Sequence, residues 1–154
     1  MIEIIKEELT VQRQVTLRVV ALLAMLSTTG CSEAVHGPVI EGNRRNGGTD
    51  AGVFGVVVIE SDCLYLQIPG SDGRSPVIWP HGTSWNHNES AIELSDGTLV
   101  YEGDEVHGAG GYHSEPNLSE FTVAEGVELA LACVDNPYAE IAIFNSNDHI
   151  DTQR

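Results

Sequence analysis

"VFGVVVIESDCLYLQI", residues 53–68, is the stretch that sets the fold class. Its first half, Val53–Glu60, is crowded with β-branched side chains, which are stiff at χ1 and suit a pleated strand better than a helix. In the second half Leu64, Leu66 and Ile68 share one face, and Cys63, Tyr65 and Gln67 the other, as a strand's period of two requires. Ser61-Asp62 lies between them as a turn. The stretch therefore reads as strand, turn, strand.

The same texture continues downstream. "PGSDGRS" is a turn, and "PVIWP" (Pro76–Pro80) is a short strand bracketed by prolines, with Trp79 expected in the core. "HGTSWNHNES" reads as a loop, and "AIEL" as a brief strand. Asp96-Gly97 makes a tight turn into a strand over Thr98–Tyr101, and Gly103-Asp104 a second turn into Glu105–Gly108. Gly108, Gly110 and Gly111 then predict a bend. "TVAEGVELALAC" fits two patterns. Thr122 and Glu125 suit a capping box with Val123, Val127, Ala130 and Leu131 at helical spacing, whereas Val127, Leu129, Leu131 and Cys133 alternate like a strand. The helix is preferred. "EIAIFNS" closes the domain as a strand with Ile141 and Ile143 on one face. The expectation is a mostly β domain over residues 53–146. It would be a small five- to six-stranded barrel of the OB-like or SH3-like kind with at most one short helix, and residues 147–154 would be a frayed tail.

From Cys31 onward the chain carries twenty acids against four arginines, Arg44, Arg45, Arg74 and Arg154, and no lysine follows Lys6. The acids and bases of residues 1–30 cancel, so the net charge of −16 belongs to the part after the leader. Such a surface repels phosphate backbones and anionic headgroups, which argues against nucleic acid as a partner and against electrostatic docking on a bilayer. The acids keep an exported protein soluble. Asp96, Glu102, Asp104 and Glu105 cluster around two turns, but no EF-hand spacing is present, and Asp-Gly and Gly-Asp are simply good turn formers.

The N-terminal thirty residues read as a signal peptide. Val19–Leu26 is a run of eight apolar residues following Arg13 and Arg18, too short to span a bilayer, which takes about 20. Glu3, Glu7 and Glu8 sit where an export signal calls for positive charge, so translation is expected to start at Val11. The run ends in "STTGC", with Thr29 and Gly30 before Cys31. This resembles the lipobox of bacterial lipoproteins, with Thr28 standing where that family usually has leucine. The resemblance implies lipidation of Cys31 on sulfur and cleavage before it. The anchored protein would then lie on the outer side of the cytoplasmic membrane. Two or more acyl chains hold a protein there stably. Residues 31–52 would be the lipidated N-terminus and a flexible tether behind the signal helix. Setting Cys31 aside leaves Cys63 and Cys133, an even pair that reads as one disulfide in an exported chain. From Val53 to Ser146 the chain is also loosely similar to small exported bacterial domains. Those carry "PVIWPHGTSW"-like and "DG…GDEV…GGGY"-like stretches, here ending "GAGGY", and the similarity implies no activity.

Three functional readings follow. The first is a non-enzymatic accessory or binding protein of the envelope with no cofactor, taking an envelope protein or small ligand. Its groove would be lined by Trp85, in a polar loop, and Tyr112. The second is a metal-handling protein that brings His81, His87, His107 and His113 around copper or zinc, although their spacing matches no established motif. The third is a small envelope hydrolase, for which no G-x-S-x-G, H-E-x-x-H or P-loop pattern is present.

Overall fold

The computed structural model of the protein describes residues 37–114, 117–135 and 139–154. The signal peptide, Cys31 and the first part of the expected tether lie outside them. The strands are β1 (Ile40–Glu41), β2 (Ala51–Glu60), β3 (Cys63–Gln67), β4 (Arg74–Trp79) and β5 (Ser84–Asn86). After these come β6 (Ala91–Glu93), β7 (Leu99–Val100), β8 (Glu105–His113), β9 (Ile141–Phe144) and β10 (Asp151–Gln153). One helix, α1 (Ala124–Ala132), separates β8 from β9.

The hairpin forms as read. Glu60 pairs with Cys63 across a two-residue loop, and Ser61 and Asp62 supply the positive φ values, 52° and 63°, that such a loop needs. β2 also pairs antiparallel with β8, β8 with β9, and β3 with β4. A parallel pairing of β4 with β9 closes the ring. Taken along the chain, the five ring strands stand in the spatial order first, second, third, fifth, fourth and back to first. This is the Greek-key order of an OB-like barrel. Closure removes the exposed edges that a sheet of this size would otherwise present.

Alternation sorts side chains into two cores. Val53, Val57, Leu64, Leu66, Val77 and Trp79 belong to the larger cluster, joined by Ala142 and Phe144. Trp79 is fully buried, stacked on Phe144 with ring centroids 5.5 Å apart. On the other face of β9, Ile141 and Ile143 meet Ile40, Ile78, Leu118 and Ala130, so α1 packs on the outer wall. Cys63 and Tyr65 point away from Leu64 and Leu66 and reach the end of α1, where Cys63 is disulfide-bonded to Cys133. The Tyr65 hydroxyl donates to the Cys133 carbonyl at 3.1 Å, and the Arg74 guanidinium lies 4.4 Å over the Tyr65 ring. Arg74 also pairs with Glu60 and Asp135.

Five expectations are corrected. Residues 37–52 are not tether throughout. Ile40 is 2% exposed, β1 runs parallel to β4, and β2 already begins at Ala51. An apolar island of two or three residues among turn formers is too short to show a period. The tail is not frayed, because Ile150 is buried and β10 pairs with β8. Gly108, Gly110 and Gly111 make no bend. They lie inside β8, where a Cβ at Gly110 would fall 2.2 Å from the Ile143 carbonyl. Glycine here serves close strand approach. The capping box does not form. Val123 is the N-cap, and the Thr122 hydroxyl instead donates to the Glu41 carbonyl at 2.6 Å, where Gly42 bridges to Thr122. The loop "HGTSWNHNES" in turn contains β5, the edge of a small sheet β5-β6-β7 whose Ile92 and Val100 enter the barrel core.

Candidate functional site

The structure separates the four histidines into distinct settings. His81 follows β4 and its Nδ1 lies 2.9 Å from the Glu41 carboxylate, which also accepts from the Gly82 N–H at 2.8 Å. His87 is exposed in the turn after β5. His107 and His113 occupy the two halves of β8, six residues apart, so about 20 Å separates them along the strand. His107 sits opposite Phe54 and Asp151, and His113 tilts onto Phe121 with centroids 5.4 Å apart. Among the described residues no three His, Cys, Asp or Glu side chains are arranged to hold a metal ion. The acids around the turns act as backbone acceptors. The Asp96 carboxylate takes the Thr98 N–H, a bond that holds its carboxyl below the usual range, and Asp104 takes the Tyr101 N–H. Glu102 takes the N–H of Ile59.

Trp85 and Tyr112 pack rather than open a groove. Trp85 is half-buried against the barrel core, and a Cβ at Gly37 would collide with its side chain at 2.1 Å. The Tyr112 hydroxyl donates to the Phe54 carbonyl at 2.7 Å. Burial pushes its pKa upward, the Phe54 N–H that donates to the hydroxyl oxygen at 3.4 Å opposes the rise, and the nearby Glu140 adds to it. Burial likewise raises Tyr65. A phenol whose pKa is raised on folding binds its proton more tightly in the native state. Its contribution is therefore whole below about pH 10 and is lost as pH climbs through the raised value. Stability measured by urea unfolding should fall steeply above pH 10, and Tyr112→Phe should flatten that fall.

A cleft of about 300 Å³ lies elsewhere, between the 42–49 loop and the end of β9. Buried Ile78, Ile143 and Phe144 form its floor, and Arg45, His113 and Phe121 line it with more exposed side chains. The Arg45 guanidinium lies 4.5 Å over the Phe121 ring. Its backbone is pinned: the N–H donates to Ser146 Oγ at 2.8 Å, and the carbonyl accepts from Asn147 Nδ2 at 3.0 Å. One turn of chain away, the Asn145 amide makes a two-way clasp on Thr49, accepting its N–H at 3.1 Å and donating to its carbonyl at 3.0 Å. The Thr49 hydroxyl then donates to the Gly110 carbonyl. Asn43 N–H donates to the Phe121 carbonyl at 2.6 Å, which fastens the near end of the loop. The loop is thus held to the barrel at both ends.

Among the described residues no Asp or Glu lines this cleft. In a part of the chain with twenty acids that is a sharp local departure. Arg74 and Arg154 face carboxylates, whereas among the described residues Arg45 forms no ion pair. The sequence reading missed Arg45, Phe121 and Asn145 because it placed Arg45 in the tether. The available signal was the adjacency of Arg44 and Arg45, two of the four arginines after Cys31, in a part of the chain that carries twenty acids. The chain matches no protein-family model, no curated protein and no solved structure with which it was compared.

Proposed function

We propose that the protein is a non-enzymatic, lipid-anchored binding protein of the bacterial cell envelope. It is carried on Cys31 outside the cytoplasmic membrane and uses the Arg45–His113–Phe121 cleft as its ligand site. The observation that carries the binding half is that, among the described residues, no carboxylate lines the cleft and its guanidinium has no acidic partner. Its volume is at the lower end of the range of small-molecule sites, and its mix of apolar surface with a few polar groups is typical of them. The anchoring half rests on the basic flank, the eight-residue apolar run and "TTGC". Among the described residues no helix is long and apolar enough to cross a membrane.

Fractionation tests the anchor. The wild-type chain should sediment with membranes and take up a clickable palmitate analogue, and Cys31→Ser should abolish the label and release the protein. A wild-type chain that stays soluble and unlabelled would contradict it.

A further inference from the structure

We infer that the cleft takes a small organic carboxylate with an apolar body; the inference rests on the cleft being the ligand site. Three observations converge on this chemistry. The first is charge. Among the described residues no acid lines the space that the Arg45 guanidinium borders, and a planar fork of N–H donors matches a carboxylate in two parallel bonds. The second is order. The Arg45 main chain is bonded to Ser146 and Asn147, which fixes where its side chain starts, and its exposed head rests on Phe121, so part of its freedom is already spent before an anion arrives. The third is apolar surface beside the guanidinium, presented by the half-buried Phe121 ring over a floor of Ile78, Ile143 and Phe144, which a bare inorganic anion would leave unused and a hydrocarbon body would cover.

The arrangement also disfavours other occupants. Among the described residues a metal cation finds no carboxylate here and His113 alone as an imidazole. A polyanion such as nucleic acid would meet the net charge of −16 beyond the mouth, whereas a single carboxylate on a small molecule is largely screened from it until it enters. The cleft of about 300 Å³ accommodates one ring or a short acyl chain with its carboxylate.

Benzoate and its neutral isostere benzamide, titrated into the ¹⁵N-labelled full-length protein, test the assignment. Benzoate should shift the amide resonances of Gly47, Gly48 and Phe121 saturably. Benzamide should bind at least tenfold more weakly, and Arg45→Gln should lose at least tenfold of the benzoate affinity while leaving the remaining spectrum in place. Equal binding of the two probes at these residues, insensitive to Arg45→Gln, would overturn the carboxylate assignment and leave the cleft as a ligand site. Silence of the cleft toward both probes would overturn the inference and the ligand site together.

Discussion

Replacing Cys63 and Cys133 together by serine should cost the protein roughly 4 kcal/mol of unfolding free energy, read as a fall in the urea midpoint. The bond joins residues 70 apart and so closes a loop around most of the barrel. Without it the unfolded chain regains the conformational freedom of that whole loop, whereas the native contacts remain. The site is also a structural junction. Cys133 is 1% exposed, Tyr65 is bonded to its carbonyl, and the pair ties the first hairpin to the end of α1. Small domains have total stabilities of about 5–15 kcal/mol, so the variant should hold only a fraction of its native population on warming. Reduction of the wild-type protein should reproduce the loss. A change below about 1 kcal/mol would mean that the crosslink constrains little of the unfolded chain.

Gly110→Ala should be strongly damaging for a change of one methyl, because the clash is with main chain. The new Cβ would lie 2.2 Å from the Ile143 carbonyl oxygen, 3.0 Å from the Phe144 Cα and 2.9 Å from a Val53 methyl. Two of those three atoms are main chain and cannot rotate away. Gly110 pairs with Phe144 in the β8–β9 ladder, so relief requires β9 to move off β8 where the ring closes. Overpacking of side chains alone costs about 1–3 kcal/mol, and separating strands adds to it, so we expect about 3 kcal/mol or more. Gly52→Ala is the matched control. It lies on β2 opposite Ala109, its nearest neighbour is a His107 ring nitrogen at 3.5 Å, and its effect should stay within about 0.5 kcal/mol. Equal behaviour of the two variants would mean that β8 and β9 do not approach as described.

The barrel was legible where alternation was long enough to see. Val53–Ile68 gave strand, turn and strand, and Ile141 and Ile143 did fall on the opposite face from Ala142 and Phe144. The helix preferred for residues 122–133 is present, but its start was misjudged. A cap depends on what the threonine hydroxyl meets, and Thr122 meets Glu41 from a distant strand. The same long-range cause hid β1 and β10. Each has two or three residues and exists only because an existing strand edge pairs with it. Glycines in β8 looked like a bend because turn chemistry and close strand approach use the same residue. The cleft was illegible for a related reason. Arg45, His113, Phe121 and Asn145 come from four separate segments, and no local spacing announces them. The cysteine pair, by contrast, needed only counting.

The most direct test of the account is a native mass spectrum of the protein extracted from the membranes of the cells that make it. The account predicts a chain beginning at a doubly or triply acylated Cys31 and two hydrogens lighter than its reduced form, as the Cys63–Cys133 bond requires. A soluble species without acyl chains, or one retaining residues 1–30, would contradict the anchored binding protein described above.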